Sequence, residues 1–184
     1  MCGIVGYIGP RPAYPILIQG LKQLEYRGYD SAGVALLNDH MQVFKKKGQV
    51  SELENYIGSQ SLPSTAGMGH TRWATHGEPN DVNAHPHVSN NGHLVLIHNG
   101  IIENYSVLKE ALSRNGYTFT SETDTEVFLN LIEAYQNKEQ LDLADALSMA
   151  LSQVVGAYAI VVADDRNPDV LVAARKQSPL VVGM

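Results

Sequence analysis

Met1-Cys2-Gly3-Ile4-Val5-Gly6-Tyr7-Ile8-Gly9-Pro10 opens the chain. Gly3 to Gly9 is a short apolar run bounded by glycine and proline, the pattern of a buried strand. Directly ahead of it stands Cys2, the only cysteine among 184 residues, behind the initiator Met1. Cysteine is small enough for removal of Met1 to be expected, which would leave a thiol and a free α-amine on one residue. An α-amine ordinarily titrates at about 7.7–8.0, so it takes a proton near neutral pH and activates the thiol beside it. The alternative is a structural cysteine, since free cysteines are commonly just buried.

Outward from this strand the pattern alternates. Pro12 opens a helix in which Leu17, Leu21 and Leu24 recur at helical spacing. Ser31 to Leu37 and Gln42 to Lys47 read as strands across the turn Asn38-Asp39-His40. A short helix is expected over Glu52–Ile57. Gly67 to Trp73 leads into the polar segment Ala74–Gly92, a functional-loop candidate. Leu94 to His98 is a strand, and Tyr105–Arg114, Thr125–Tyr135 and Leu141–Leu151 follow as helices. Gly156–Ala163 and Val170–Ala174 form a hairpin, and Leu180 to Met184 reads as the beginning of a further strand. Strands at both ends and helices between them predict a layered α+β domain with largely antiparallel sheets.

Composition narrows the functional classes. The length suits one domain. Thirteen basic against nineteen acidic side chains give a net charge of −6, which argues against a nucleic-acid partner. A single cysteine cannot form an internal disulfide, and no apolar run approaches the roughly twenty residues that span a bilayer. With no secretory signal pattern at the N-terminus, a cytoplasmic location is expected and no membrane partner.

Four blocks are too particular for structural filler: Cys2-Gly3-Ile4-Val5-Gly6, then Glu25 to Gly33, His70-Thr71-Arg72-Trp73-Ala74-Thr75-His76-Gly77, and His98-Asn99-Gly100-Ile101-Ile102-Glu103-Asn104. Ser121 to Glu126 adds a weaker fifth. Asn99 and Gly100 directly follow a strand, where a side-chain amide and a backbone N–H suit a developing oxyanion. An Asn-Gly hairpin turn is the alternative. Arg72 suits a carboxylate through its guanidinium fork, although an arginine beside a tryptophan is often a surface pair or a stack. Asp124 suits an ammonium group, or serves as a helix N-cap. Trp73, the only tryptophan, has a packing role as its alternative.

Six of the seven histidines lie between His70 and His98. His85-Pro86-His87 with His70 or His76 raises a zinc reading, but the spacing is irregular and no metal is expected. Lys45-Lys46-Lys47 reads as a solvated strand end rather than an anion site.

These blocks together resemble the class II glutamine amidotransferases of the N-terminal nucleophile hydrolase fold. Within that group they are most similar to the glutaminase domain of the glutamine–fructose-6-phosphate aminotransferases. The resemblance runs from Cys2 to the last residue and implies a four-layer αββα sandwich over residues 1–184. It also implies truncation relative to the family, incompleteness at the C-terminus, and no sugar isomerase domains in this chain. It further implies hydrolysis of L-glutamine to glutamate and ammonia through a γ-glutamyl thioester on Cys2, with no cofactor. In the complete enzyme that ammonia passes to a sugar-phosphate isomerase domain that converts fructose 6-phosphate, and a homodimer is an expectation for that enzyme only.

By resemblance, Asn99 and Gly100 form the oxyanion site, Arg72 and Asp124 bind glutamine, and Thr75, His76 and Gly77 close over it. Trp73 helps gate ammonia, and Arg27 and His85 support the site. A glutamine-binding chain without turnover, or a histidine-rich metal hydrolase, are the rival readings.

Overall fold

In a computed structural model the described residues are 2–38, 40–74 and 77–183. The elements run β1 (Gly3–Ile8), α1 (Ala13–Leu24), β2 (Ser31–Leu37), β3 (Gln42–Lys47), α2 (Val50–Ile57) and β4 (Ala66–Arg72). Then come β5 (His87–Val88), β6 (Leu94–Ile102), α3 (Tyr105–Arg114), α4 (Asp124–Glu139), α5 (Leu143–Ser152), β7 (Gly156–Asp164) and β8 (Leu171–Lys176). A 3-10 turn, Glu25–Arg27, follows α1. The strands make two four-stranded sheets ordered β1-β4-β2-β3 and β5-β6-β7-β8, antiparallel at every strand pairing.

The period of two along a strand sorts side chains into layers. On β2 and β4, Ala35, Leu37, Ala66 and Met68 face Val95, Ile97, Val161 and Ala163 of the opposite sheet, forming the core between the sheets. The alternate residues Val34 and Leu36 face Leu17, Leu21, Leu53 and Ile57 of α1 and α2. Leu94, Leu96, Ile160 and Val162 face Val127, Phe128 and Ile132 of α4, with α5 behind. Helix, sheet, sheet and helix thus stack as four layers, the αββα sandwich expected. Helix α4 is buried from Asp124 to Glu133, as a helix covered on several sides must be. Two of its buried acceptors are engaged: Asn130 Oδ1 accepts from the Asn90 N–H at 3.0 Å and Glu133 Oε2 from the Asn91 N–H at 2.9 Å.

Several local readings are corrected. Strand β6 does not stop at His98. Asn99 and Gly100 continue it opposite Ala159 and Tyr158, so the hairpin-turn alternative falls. Gly100 has φ 131°, and a Cβ there would lie 2.0 Å from the Ala157 carbonyl oxygen. Only glycine lets the strand run through that point. The N-cap of α4 is Thr123, whose side chain accepts from the Glu126 N–H, and Asp124 is the first helical residue. Helix α2 starts at Val50, where Glu25 Oε1 accepts the first N–H at 2.7 Å.

The lysine run of β3 is not merely solvated. Lys45 donates to the Val82 carbonyl and Lys46 pairs with Asp81, each at 3.0 Å. Leu180–Gly183 form no strand. Gln177, at φ 64°, takes the left-handed region just after β8 and still bridges to Tyr158, and the chain leaves the sheet beyond it. No described helix is long and apolar enough to cross a membrane.

Candidate active site

One end of the inter-sheet layer opens into a cleft of about 610 Å3, within the usual range for small-molecule sites. Strand parity places its walls. Gly3 pairs with Thr71, so Cys2 comes opposite Arg72 at the end of β4. Cys2 shares its face with Ile4, which packs against the inter-sheet core. His70 and Arg72 share theirs with Met68 in that core. Asn99 and Gly100 reach the cleft from β6, and Asp124 from the first turn of α4.

The thiol is tied to the end of β4: Cys2 Sγ accepts the Trp73 N–H at 3.1 Å and lies 3.5 Å from the Trp73 carbonyl. Burial pushes this thiol above the ordinary cysteine range, against the opposing pull of the Trp73 hydrogen bond. It is therefore protonated at neutral pH and needs a base. Asn99 bridges the sheets: Nδ2 donates to the Cys2 carbonyl at 3.1 Å, and Oδ1 lies 2.9 Å from His70 Nε2.

Arg72 is buried, and its guanidinium donates to the carbonyls of Gly77 at 3.2 Å and Glu78 at 3.4 Å. Asp124 Oδ2 accepts the Ile102 N–H at 2.7 Å. A buried cation and a buried anion thus line the same cleft as a thiol. Trp73 also lines it, 56% exposed, with Gly28 against its indole so closely that a Cβ would sit 2.8 Å from the ring. The second block fixes this corner: Asp30 accepts from the Ala74 and Ser31 groups, and its N–H donates to the Arg72 carbonyl at 2.8 Å.

Of the residues named from sequence, Cys2, Arg27, Arg72, Trp73, His85, Asn99, Gly100 and Asp124 line the cleft together. Gly77 does not; it stands behind Arg72, holding the guanidinium through its carbonyl. Thr75 and His76 lie outside the described residues.

Sequence reasoning weighed the histidines as a set only as metal ligands, and gave His70, His87 and His98 no other place in the site. His70, His85, His87 and His98 are all buried. His85 stacks on His70 with centroids 4.3 Å apart and meets His87 edge-on at 4.9 Å. Burial, reinforced by the neighbouring histidines, holds His85 and His87 neutral, with Lys45 and Arg72 also opposing a charge on His87. Burial likewise takes His70 to about 3 and lowers His98, with Asp124 pulling the latter back. These rings stack rather than converge, and no group of three or more possible ligands among the described residues is placed to hold a metal ion. The period of two could have found His70, since it stands two residues before Arg72 on one strand.

Residues 70–183 match the family model described as a glutamine amidotransferase domain. The chain belongs to the glutamine amidotransferase domain family. It is 61% identical to the glutamine–fructose-6-phosphate aminotransferase [isomerizing] of Bacteroides thetaiotaomicron, over 100% of this chain and 30% of that protein. The protein of the same name from Thermus thermophilus is 53% identical over the same shares. The chain thus spans about 30% of the length of the curated relatives it matches. Among solved structures, the glutamine phosphoribosylpyrophosphate amidotransferase of B. subtilis, complexed with ADP and GMP, superposes with TM-score 0.77 at 28% identity, covering 90% of this chain and 35% of that one. A structure of the allosteric regulatory enzyme of purine biosynthesis gives 0.79 at 30% identity, over 90% and 36%. The layered α+β architecture is therefore that of the family's solved amidotransferases.

Proposed function

We propose that this domain hydrolyses L-glutamine to L-glutamate and ammonia with Cys2 as nucleophile, after removal of Met1. The observation that carries the reading is the thiol held by the Trp73 N–H at 3.1 Å in a cleft shared with Asn99, Gly100, Arg72 and Asp124. The chemistry follows from the groups present. The α-amine of Cys2 takes the thiol proton as sulfur attacks the side-chain carbonyl, and the π electrons move onto oxygen. Asn99 Nδ2 keeps one hydrogen on the Cys2 carbonyl and offers the other, with the Gly100 N–H, to that oxygen. Each such donor is worth about 10²–10³-fold in rate. On collapse the C–N bond breaks, the ammonium returns its proton to nitrogen, and ammonia leaves a γ-glutamyl thioester. Water then adds, the amine takes its proton, and the C–S bond breaks to release glutamate and regenerate the thiol.

Arg72 holds the α-carboxylate of glutamine and Asp124 its α-ammonium. Gly77 acts through Arg72; Thr75 and His76 complete the closure, and Trp73 stands where ammonia departs. Arg27 and His85 support the walls. In the complete enzyme the ammonia goes to a sugar-phosphate isomerase domain that turns fructose 6-phosphate into glucosamine 6-phosphate, in a cytoplasmic homodimer. The names and greater lengths of the relatives support the further sugar-phosphate domain.

Intact mass before and after treatment with a glutamine-mimicking diazoketone tests the reading. The expected result is loss of Met1 and one adduct on Cys2, suppressed by glutamine and absent in Cys2→Ala. A chain that keeps Met1 and takes no adduct would overturn it.

A further inference from the structure

His70 lies between the two sheets, buried, with Nε2 3.1 Å from the His98 carbonyl oxygen and 2.9 Å from Asn99 Oδ1. A backbone carbonyl only accepts, so Nε2 carries the hydrogen. The other nitrogen agrees: Nδ1 is buried without a partner among the described residues, and an unpaired acceptor is tolerated better there than an unpaired N–H.

Given an N–H on His70 Nε2, the Asn99 amide has one acceptable orientation. Its oxygen must face His70 and its nitrogen the Cys2 carbonyl, 3.1 Å away. The flipped amide would set donor against donor at His70 and acceptor against acceptor at Cys2. His70 itself is held in place. Its ring stacks on His85 at 4.3 Å, and His85 Nδ1 accepts the His98 N–H at 3.3 Å, tying the stacked pair back to β6.

We propose that His70 is a positioning residue that acts through Asn99, donating from Nε2 to lock the amide with one N–H on the Cys2 carbonyl and the other toward the reacting carbonyl. This rests on the oxyanion role given to Asn99 above.

The test is a double-mutant cycle on the chain, read by ammonia release from glutamine and by the rate of Cys2 alkylation with iodoacetamide at one pH. His70→Leu removes the donor. His70→Asn keeps a polar amide but ends it near the Nδ1 position, and covers the case in which the leucine variant does not fold. His70→Gln returns an N–H near the Nε2 position. Losing a whole oxyanion donor costs about 10²–10³-fold, so loosening one is expected to lower kcat about 10- to 100-fold in the Leu and Asn variants. KM and alkylation should stay within about threefold, and His70→Gln should recover most of kcat. In an Asn99→Ala background the same His70 changes are expected to have little further effect.

Multiplicative losses in the double variants, or no recovery with glutamine at position 70, would overturn the proposal alone. An Asn99→Ala variant with undiminished kcat would overturn the oxyanion reading and the proposal with it.

Discussion

Gly33 sits in the middle of β2 at ordinary strand geometry, so replacing it with alanine tests space rather than backbone strain. The new Cβ would lie 2.1 Å from the His85 carbonyl oxygen and 2.9 Å from that of Phe44. Ordinary contact begins at 3.4 Å, so the His85 backbone would have to retreat by about 1.3 Å. That displacement breaks the 3.3 Å bond from the His98 N–H to His85 Nδ1 and shears the stack on His70. Overpacking typically costs about 1–3 kcal/mol, and a buried N–H left unpaired about 1–3 more. Gly33→Ala is therefore expected to destabilise by roughly 2–6 kcal/mol, or about 2–4 °C in Tm for each.

Misplacement by about 1 Å can cost about 10²-fold in rate, so kcat should fall about 10- to 100-fold. The matched control is Gly6→Ala in β1. Its Cβ would meet Leu171 at 3.6 Å and Val161 at 3.9 Å, and reduced freedom of the unfolded chain should make it neutral or about 0.4–1 kcal/mol stabilising. Urea unfolding of both variants, with ammonia release from glutamine, is the assay. A Gly33→Ala chain within about 0.5 kcal/mol of its parent would refute the reasoning.

The histidine stack predicts acid sensitivity. Unfolded histidine protonates near about 6.5, whereas folded His70 resists until about 3 and His85, His87 and His98 are also lowered. Between those values the unfolded chain binds more protons, so stability is complete above about pH 6.5 and drains away toward pH 3. The slope is about 1.4 kcal/mol per pH unit for each histidine. Urea midpoints that hold constant from pH 7 to 5 would contradict it. Arg72→Lys keeps the charge but loses the fork. With charged hydrogen bonds worth about 1.5–3 kcal/mol, KM for glutamine should rise about 10- to 100-fold while kcat stays within about threefold. Steady-state kinetics with equal losses in kcat and kcat/KM would count against Arg72 as the carboxylate clamp.

Where the sequence was legible, local pattern and tertiary demand agreed. β2, β3 and α3 stand at the bounds read from the sequence. The cleft residues Cys2, Arg72, Asn99 and Asp124 were legible because chemistry selects rare residue types beside strand ends. The misses have one physical source: contacts between distant segments. Asn-Gly normally turns a chain, but the pairing across to Ala159 and Tyr158 extends it. The polar segment after Trp73 takes its shape from partners far away. The Asn83 side chain donates to the Glu122 carboxylate and accepts the Glu122 N–H, each at 3.0 Å, and Asp81 accepts the Lys47 N–H at 2.6 Å. No window around residue 80 contains that information. The apolar tail was misread because nothing local marks Gln177 as left-handed.

The position of Cys2 one step before β1, on the same face as Ile4, makes its address a matter of odd and even. Inserting one residue anywhere between Cys2 and Ile8 would advance the thiol about 3.3 Å and send it to the α1 side of the sheet. Two inserted residues would restore the face but overshoot the Trp73 N–H by nearly 7 Å. Length changes are harmless to the thiol only beyond Ile8, in the Gly9–Pro12 turn. The first strand therefore serves as a ruler of fixed count, and lineages or libraries that vary this domain should vary its turns and leave that count untouched.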